Sequence, residues 1–162
     1  MVIKMKFNVD SFGIFNDTWA LLTAGNKDGF NTMTISWGGL GTLWSKPVAT
    51  VYVKPIRYTH EFLDKNDYFT ISFFAEEHRN ALMVMGMKSG RNTDKVKESG
   101  LTAEFLDNAV TFKEAKTTLL CKKIYTQDLD VGNMTEDVVN AFYTAEAAHT
   151  MYIGEVVDII EG

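Results

Sequence analysis

The sequence predicts a mainly β domain with short helices, arranged as an antiparallel barrel. Three observations carry this expectation. Apolar and β-branched runs of seven or eight residues recur along the chain, separated by glycine-, asparagine- and aspartate-rich turns. Their order is that of hairpins, without the regular strand–helix alternation of a doubly wound sheet. The 162 residues fit a single domain, residues 1–162, long enough to bury roughly 70% of the surface exposed by the unfolded chain.

The elements follow in order. Thr18 to Ala24 and Phe30 to Trp37 read as strands joined by the turn Asn26-Lys27-Asp28-Gly29. Gly38-Gly39-Leu40-Gly41 reads as a flexible loop that no regular element should cross. Val48 to Lys54 is β-branched and aromatic, bracketed by Pro47 and Pro55, and reads as a buried strand. Arg57 to Lys65 places Tyr58 and Phe62 four apart, as in a short amphipathic helix. Tyr68 to Phe74 returns to strand character. Glu76 to Met85 reads as a helix with acidic residues in its first turn and Gly86 just past its end. Ser89 to Asp94 is a polar loop, and Lys95 to Ser99 a helical turn closed by Gly100. Two strands are expected within Ala109 to Gln127, a helix from Thr135 to Ala147, and a last strand from Met151 to Ile160. The total is six or seven strands.

Composition excludes several classes of function. With 16 basic and 21 acidic side chains the net charge is -5, which argues against nucleic acid as a main partner. Apolar stretches such as Ala81 to Met85 are far too short to span a membrane, and Met1 to Asp10 lacks the apolar core of a signal peptide. The expected location is therefore cytoplasmic. The lone Cys121 allows neither an intrachain disulfide nor a cysteine-rich metal site, and its run Leu119-Leu120-Cys121 suits a buried strand better than a nucleophile. Charge is uneven. The first hundred residues carry 12 basic and 10 acidic side chains, and the remainder 4 and 11. An anionic ligand would find its cations in the first hundred.

Familiar catalytic signatures fail. Gly39-Leu40-Gly41 begins like a dinucleotide fingerprint, but Trp44 stands at the third glycine position. The chain has neither a P-loop nor a nucleophile elbow. His60, His78 and His149 lack zinc-protease spacing, and no metal site is expected. What remains is a polar and aromatic cluster. Asn31, Thr32, Thr34 and Ser36 are small hydrogen-bonding residues on a strand ending at Trp37. Lys54, Arg57 and Thr59 follow the buried strand, and Ser89-Gly90-Arg91-Asn92-Thr93-Asp94-Lys95 adds anion donors on a glycine-containing loop. Each residue alone has a plainer reading as strand, core or solvated surface. Together they suit a planar aromatic ligand with a phosphate tail.

The segments Asn31-Thr32-Met33-Thr34-Ile35-Ser36-Trp37-Gly38-Gly39, Leu43-Trp44-Ser45-Lys46-Pro47-Val48 and Val53-Lys54-Pro55-Ile56-Arg57-Tyr58-Thr59 resemble the flavin reductase-like family, and within it the flavoredoxin branch. Tyr68 to Phe74, Ser89-Gly90-Arg91 with Asp94-Lys95, and His149 to Val157 continue the resemblance. It implies a dimeric, FMN-binding, antiparallel split β-barrel. The site residues it implies are Asn31, Thr32, Met33, Thr34, Ile35, Ser36 and Trp37 along the flavin ring. Arg57 and Thr59 would hold the phosphate, aided by Ser89, Arg91 and Lys95, with Lys54, Tyr58 and His149 as further cofactor contacts. The implied activity is flavin reduction by NADH or NADPH, with electrons passed to an acceptor. The alternative is a non-catalytic FMN-binding electron carrier reduced by a partner protein. No residue is demanded as an acid–base catalyst, because the flavin carries the chemistry.

Overall fold

The computed structural model describes residues 5–162. After a single helical turn, α1 (Gly13–Asn16), the chain forms a hairpin of β1 (Ala20–Asn26) and β2 (Gly29–Ile35). Asn26 accepts the Asp28 amide at 2.8 Å and closes its turn. A second hairpin joins β3 (Gly38–Leu43) to β4 (Lys46–Val53) through Trp44 and Ser45, both at positive φ. That is the two-residue turn whose twist matches antiparallel strands. The Gly38–Gly41 run is thus strand and not loop. Pairing with β4 along its whole length supplies the order that its own side chains do not. An added Cβ at Gly38 would stand 2.8 Å from the Phe15 ring, so glycine is what lets this strand lie against α1.

Next come α2 (Tyr58–Lys65) and β5 (Tyr68–Phe73). A 3₁₀ turn, Glu76–His78, leads into α3 (Arg79–Met87), so Gly86 lies inside the helix and not beyond it. The last turn persists because Lys95 Nζ donates to the Met85 carbonyl at 3.0 Å and to the Lys88 carbonyl at 3.2 Å, satisfying acceptors that a helix end leaves open. The next helix, α4 (Lys95–Ser99), ends on a left-handed Gly100, as its sequence predicts. Strands β6 (Ala103–Phe105) and β7 (Val110–Phe112) pair apart from the main sheet. The long β8 (Thr117–Asp128) and β9 (Thr150–Glu161) flank α5 (Glu136–Phe142). This last helix stops short of the expected Ala147. It buries no residue, so little tertiary packing holds further turns in place.

Seven strands form one antiparallel sheet in the order β2-β1-β5-β8-β9-β4-β3. Met33 and Ile35 of β2 share a buried cluster with Val51 and Val53 of β4, five places away in that order. A flat sheet would hold those strands roughly 24 Å apart. The sheet is therefore curled into a barrel around one core, and it is split where β2 and β3 do not pair. Outside the barrel, Leu21 packs with Leu82 and Met85 of α3 and with Phe112, which explains why β1 is buried on both faces. Among the described residues no helix is long and apolar enough to cross a membrane.

Candidate functional site

Two cavities meet beside the free edge of β2, and both are lined by Ile56 and Arg57. The smaller, about 250 Å³, brings together Asn31, Arg57, Tyr58, Thr59, Ser89 and Lys95. These residues come from β2, the start of α2, the loop between α3 and α4 and the first residue of α4. The extended stretch after β4 turns at Pro55, because the Arg57 amide donates to the Lys54 carbonyl at 3.0 Å, and α2 begins there. Asn31 donates to the Thr59 hydroxyl at 2.8 Å, tying β2 to α2. Gly90 seals the opposite wall so closely that a Cβ would collide with Asn31 Oδ1.

The electrostatics of this cavity are unusual. Arg57 donates to the Gly86 carbonyl at 3.3 Å, and Lys95 to the carbonyls of Met85 and Lys88. Neither cation has a carboxylate partner among the described residues. Lys95 is only 3% exposed. Burial, and then the nearby charge of Arg57, pull its ammonium down to about 8. Burial likewise lowers the guanidinium of Arg57, with the charge of Glu146 opposing. Two desolvated cations without a paired carboxylate, beside the hydroxyls of Thr59 and Ser89, are the donor set that an anionic group would need.

The larger cavity, about 360 Å³, is walled by Met33, Trp37, Tyr52, Ile56 and Phe142. Trp37 is 44% exposed and packs edge-on against Phe142, with ring centroids 5.3 Å apart. Lys54 lines this cavity, paired with Glu146 at 3.0 Å. His149 also lines it, and its Nδ1 lies 2.7 Å from the Tyr143 hydroxyl. Burial first, and then the charge of Lys54, hold the imidazole below its ordinary range, so it is neutral at pH 7. Together the two cavities fall within the roughly 300–1,000 Å³ of small-molecule sites.

Five expected residues sit differently. Thr32 spends its hydroxyl on Thr23 at 2.8 Å inside the protein, Thr34 donates to the Leu82 carbonyl, and Ile35 points into the barrel core. Strand alternation explains this, since Thr32 and Thr34 face the α3 side. What these positions offer a ligand is the backbone of an edge strand. Arg91 lies outside both cavities, bonded to Glu61 at 2.6 Å and stacked over Tyr58. Ser36 belongs to a third cavity that shares Trp37, Tyr52 and His149 with the larger one. Tyr52, Phe142 and Glu146 were not anticipated. For Tyr52 a signal exists, because Val51 and Val53 point into the core and alternation turns Tyr52 the other way.

The flavin reductase like domain family matches residues 12–162, nearly the whole chain. The chain belongs to that family. Its fold is the FMN-binding split barrel. Flavoredoxin from Methanosarcina acetivorans superposes with a TM-score of 0.72 at 21% identity, covering 99% of this chain and 76% of that one. Flavoredoxin of Desulfovibrio vulgaris (Miyazaki F) gives 0.71 at 21% identity, covering 99% and 77%. Nitrilotriacetate monooxygenase component B from Bacillus cereus gives 0.70 at 19% identity, covering 89% and 69%. No curated protein matches the chain.

Proposed function

We propose that this flavin reductase-like protein binds FMN and acts as an NAD(P)H-dependent oxidoreductase, working in the cytoplasm as a homodimer. The reading is carried by one observation, the pair Arg57 and Lys95 facing one cavity without a carboxylate. Thr59 and Ser89 add hydroxyl donors to the phosphate, and Asn31 fixes Thr59 in place. Met33, Trp37 and Ile56 supply the apolar wall that a flavin ring requires, and the unpaired edge of β2 supplies backbone donors. A flavin held there would supply the hydride- and electron-transfer chemistry of the proposed reaction. The chain's own part is to bind, orient and shield. Donors at the β2 edge favour negative charge on a reduced ring. The exposed side chains Trp44 and Tyr125, in edge contact with each other, offer a second copy an apolar surface.

The test is a visible absorption spectrum of the protein loaded with FMN, followed by anaerobic titration with NADH and NADPH. Bleaching by either nucleotide supports the reductase. Bleaching only by a reduced partner protein assigns the electron-carrier role instead. Failure to retain FMN in equilibrium dialysis overturns both.

A further inference from the structure

Lys88 and Lys95 both line the smaller cavity, and their nitrogens are held differently. Lys88 is exposed and gives its ammonium to Glu98 at 2.9 Å. Lys95 is buried, and its Nζ donates to the Met85 and Lys88 carbonyls at 3.0 and 3.2 Å. A neutral amine has two hydrogens, and both have an acceptor here. The uncharged form is therefore fully bonded. Its lone pair takes the direction of the third ammonium hydrogen, which meets no acceptor among the described residues. Burial, and then the charge of Arg57, bring the ammonium to about 8, so on the order of a tenth of Lys95 is amine at pH 7. A desolvated amine beside another cation is how a lysine becomes a nucleophile.

The walls of the cavity decide which electrophile this amine meets. Arg57, Thr59 and Ser89 line it together with Lys95 and are donors suited to a phosphate. In an acyl phosphate the acyl carbon is one oxygen away from phosphorus. A phosphate on these donors thus brings that carbon into the same space of about 250 Å³ as the amine. The phosphate is also the leaving group, and the Arg57 guanidinium stabilises the charge it gains as its bond to carbon breaks. A space of this size suits a short acyl chain.

We propose that Lys95 is a site of acylation by small acyl phosphates, with Arg57, Thr59 and Ser89 docking the phosphate. The Nζ lone pair attacks the acyl carbon. A C–N bond forms, and the C–O bond to phosphate breaks with its electron pair staying on the phosphate. One hydrogen of the nitrogen passes to the departing phosphate, and nothing is oxidised or reduced. The amide product is uncharged, so the cavity loses the cation of Lys95. Acylation itself needs no flavin. Its consequence, a block on FMN binding, rests on the flavin reading.

The experiment treats flavin-free protein with acetyl phosphate at pH 8 and follows every lysine by peptide mass spectrometry. Lys95 should acetylate at least roughly tenfold faster than any other lysine, and inorganic phosphate should slow Lys95 alone. Arg57→Ala should slow Lys95 several-fold and leave the other lysines unchanged. Acetic anhydride carries no phosphate, and its preference for Lys95 should be at least roughly tenfold smaller. Even acetylation across the lysines, no protection by phosphate, or an equal preference with the anhydride overturns the proposal. FMN should protect Lys95, and protein acetylated there should lose FMN affinity in a fluorescence titration. Selective acetylation that FMN does not prevent removes the flavin from this cavity and keeps the modification. FMN binding without selective acetylation does the reverse.

Discussion

Arg57 and Lys95 face one small cavity, and each gives its hydrogens to backbone carbonyls of the α3 C-terminus and the residues just after it. Helix ends carry partial negative charge there, which makes the burial of two cations tolerable without neutralising them. The pair is thus held ready for a dianion. Arg57→Ala should weaken FMN binding by about 1.5–3 kcal/mol, the worth of a charge-assisted hydrogen bond, or roughly 10- to 150-fold. Quenching of flavin fluorescence on titration measures it. An affinity equal to that of the wild type would remove the phosphate from this cavity.

Lys95 makes that site sensitive to pH. Its ammonium titrates at about 8 in the folded protein against an ordinary 10.5. Below 8 both folded and unfolded chains carry the proton, and the group gives no slope. Between 8 and 10.5 the unfolded chain binds more protons, so stability rises with pH in this window. FMN affinity moves the opposite way, because above 8 the free protein must take up a proton to meet the phosphate. Lys95→Met should abolish both trends. Thermal midpoints of the flavin-free protein and FMN titrations, each from pH 7 to 10, read them out. Parallel curves for variant and wild type would contradict the assignment.

The cations and hydroxyls of this cavity were legible in the sequence because they cluster in two short segments, Lys54 to Thr59 and Ser89 to Lys95. Which of them face the ligand was not. Arg91 sits only four residues from Lys95, yet it turns outward to Glu61 because Tyr58 offers its ring as a platform. Thr32 and Thr34 illustrate the other limit. Alternation along β2 is visible in the sequence, but the presence of α3 over one face is a tertiary fact. The first hairpin is written in local turn chemistry and the long last strand in its apolar run. Strand β3 is not, since its glycines acquire order only from β4.

Gly90 should tolerate no side chain. A Cβ there collides with Asn31 Oδ1 and comes within 3.3 Å of Tyr58. Relief requires moving the loop away or breaking the Asn31–Thr59 hydrogen bond. Gly90→Ala should lower stability by about 1–3 kcal/mol, typical of overpacking, and weaken FMN binding in parallel. Denaturant melts together with FMN titration check it. A stable variant with unchanged affinity would show that the loop is not part of the site wall.

Glu146 is the one carboxylate in the larger cavity, and it pairs with Lys54 while its charge also reaches Arg57. It opposes an incoming anion. Glu146→Gln should therefore tighten FMN binding several-fold at low ionic strength, with the gain fading as salt screens it. Stability should change by no more than about 1 kcal/mol, since the pair is partly exposed. Titrations at two salt concentrations separate these effects, and weaker binding at low salt would refute the electrostatic account.

Cys121 tests the claim that redox chemistry here must come from a bound cofactor. The thiol is fully buried between β5 and β9, with Phe69 as its register partner, and burial pushes its ionisation well above the ordinary thiol range. Thiolate is the reactive form, so the folded protein should resist a disulfide reagent such as 5,5′-dithiobis(2-nitrobenzoate) and react fully once unfolded. The environment leaves no room for a larger atom set either, because an added Cβ at Gly154 would stand 2.8 Å from the Cys121 Cβ. Cys121→Ser should accordingly keep full FMN binding and nucleotide-driven bleaching, losing only the modest stability of a buried apolar contact. Rapid labelling of the native thiol, or loss of bleaching in the serine variant, would return the cysteine to the redox mechanism.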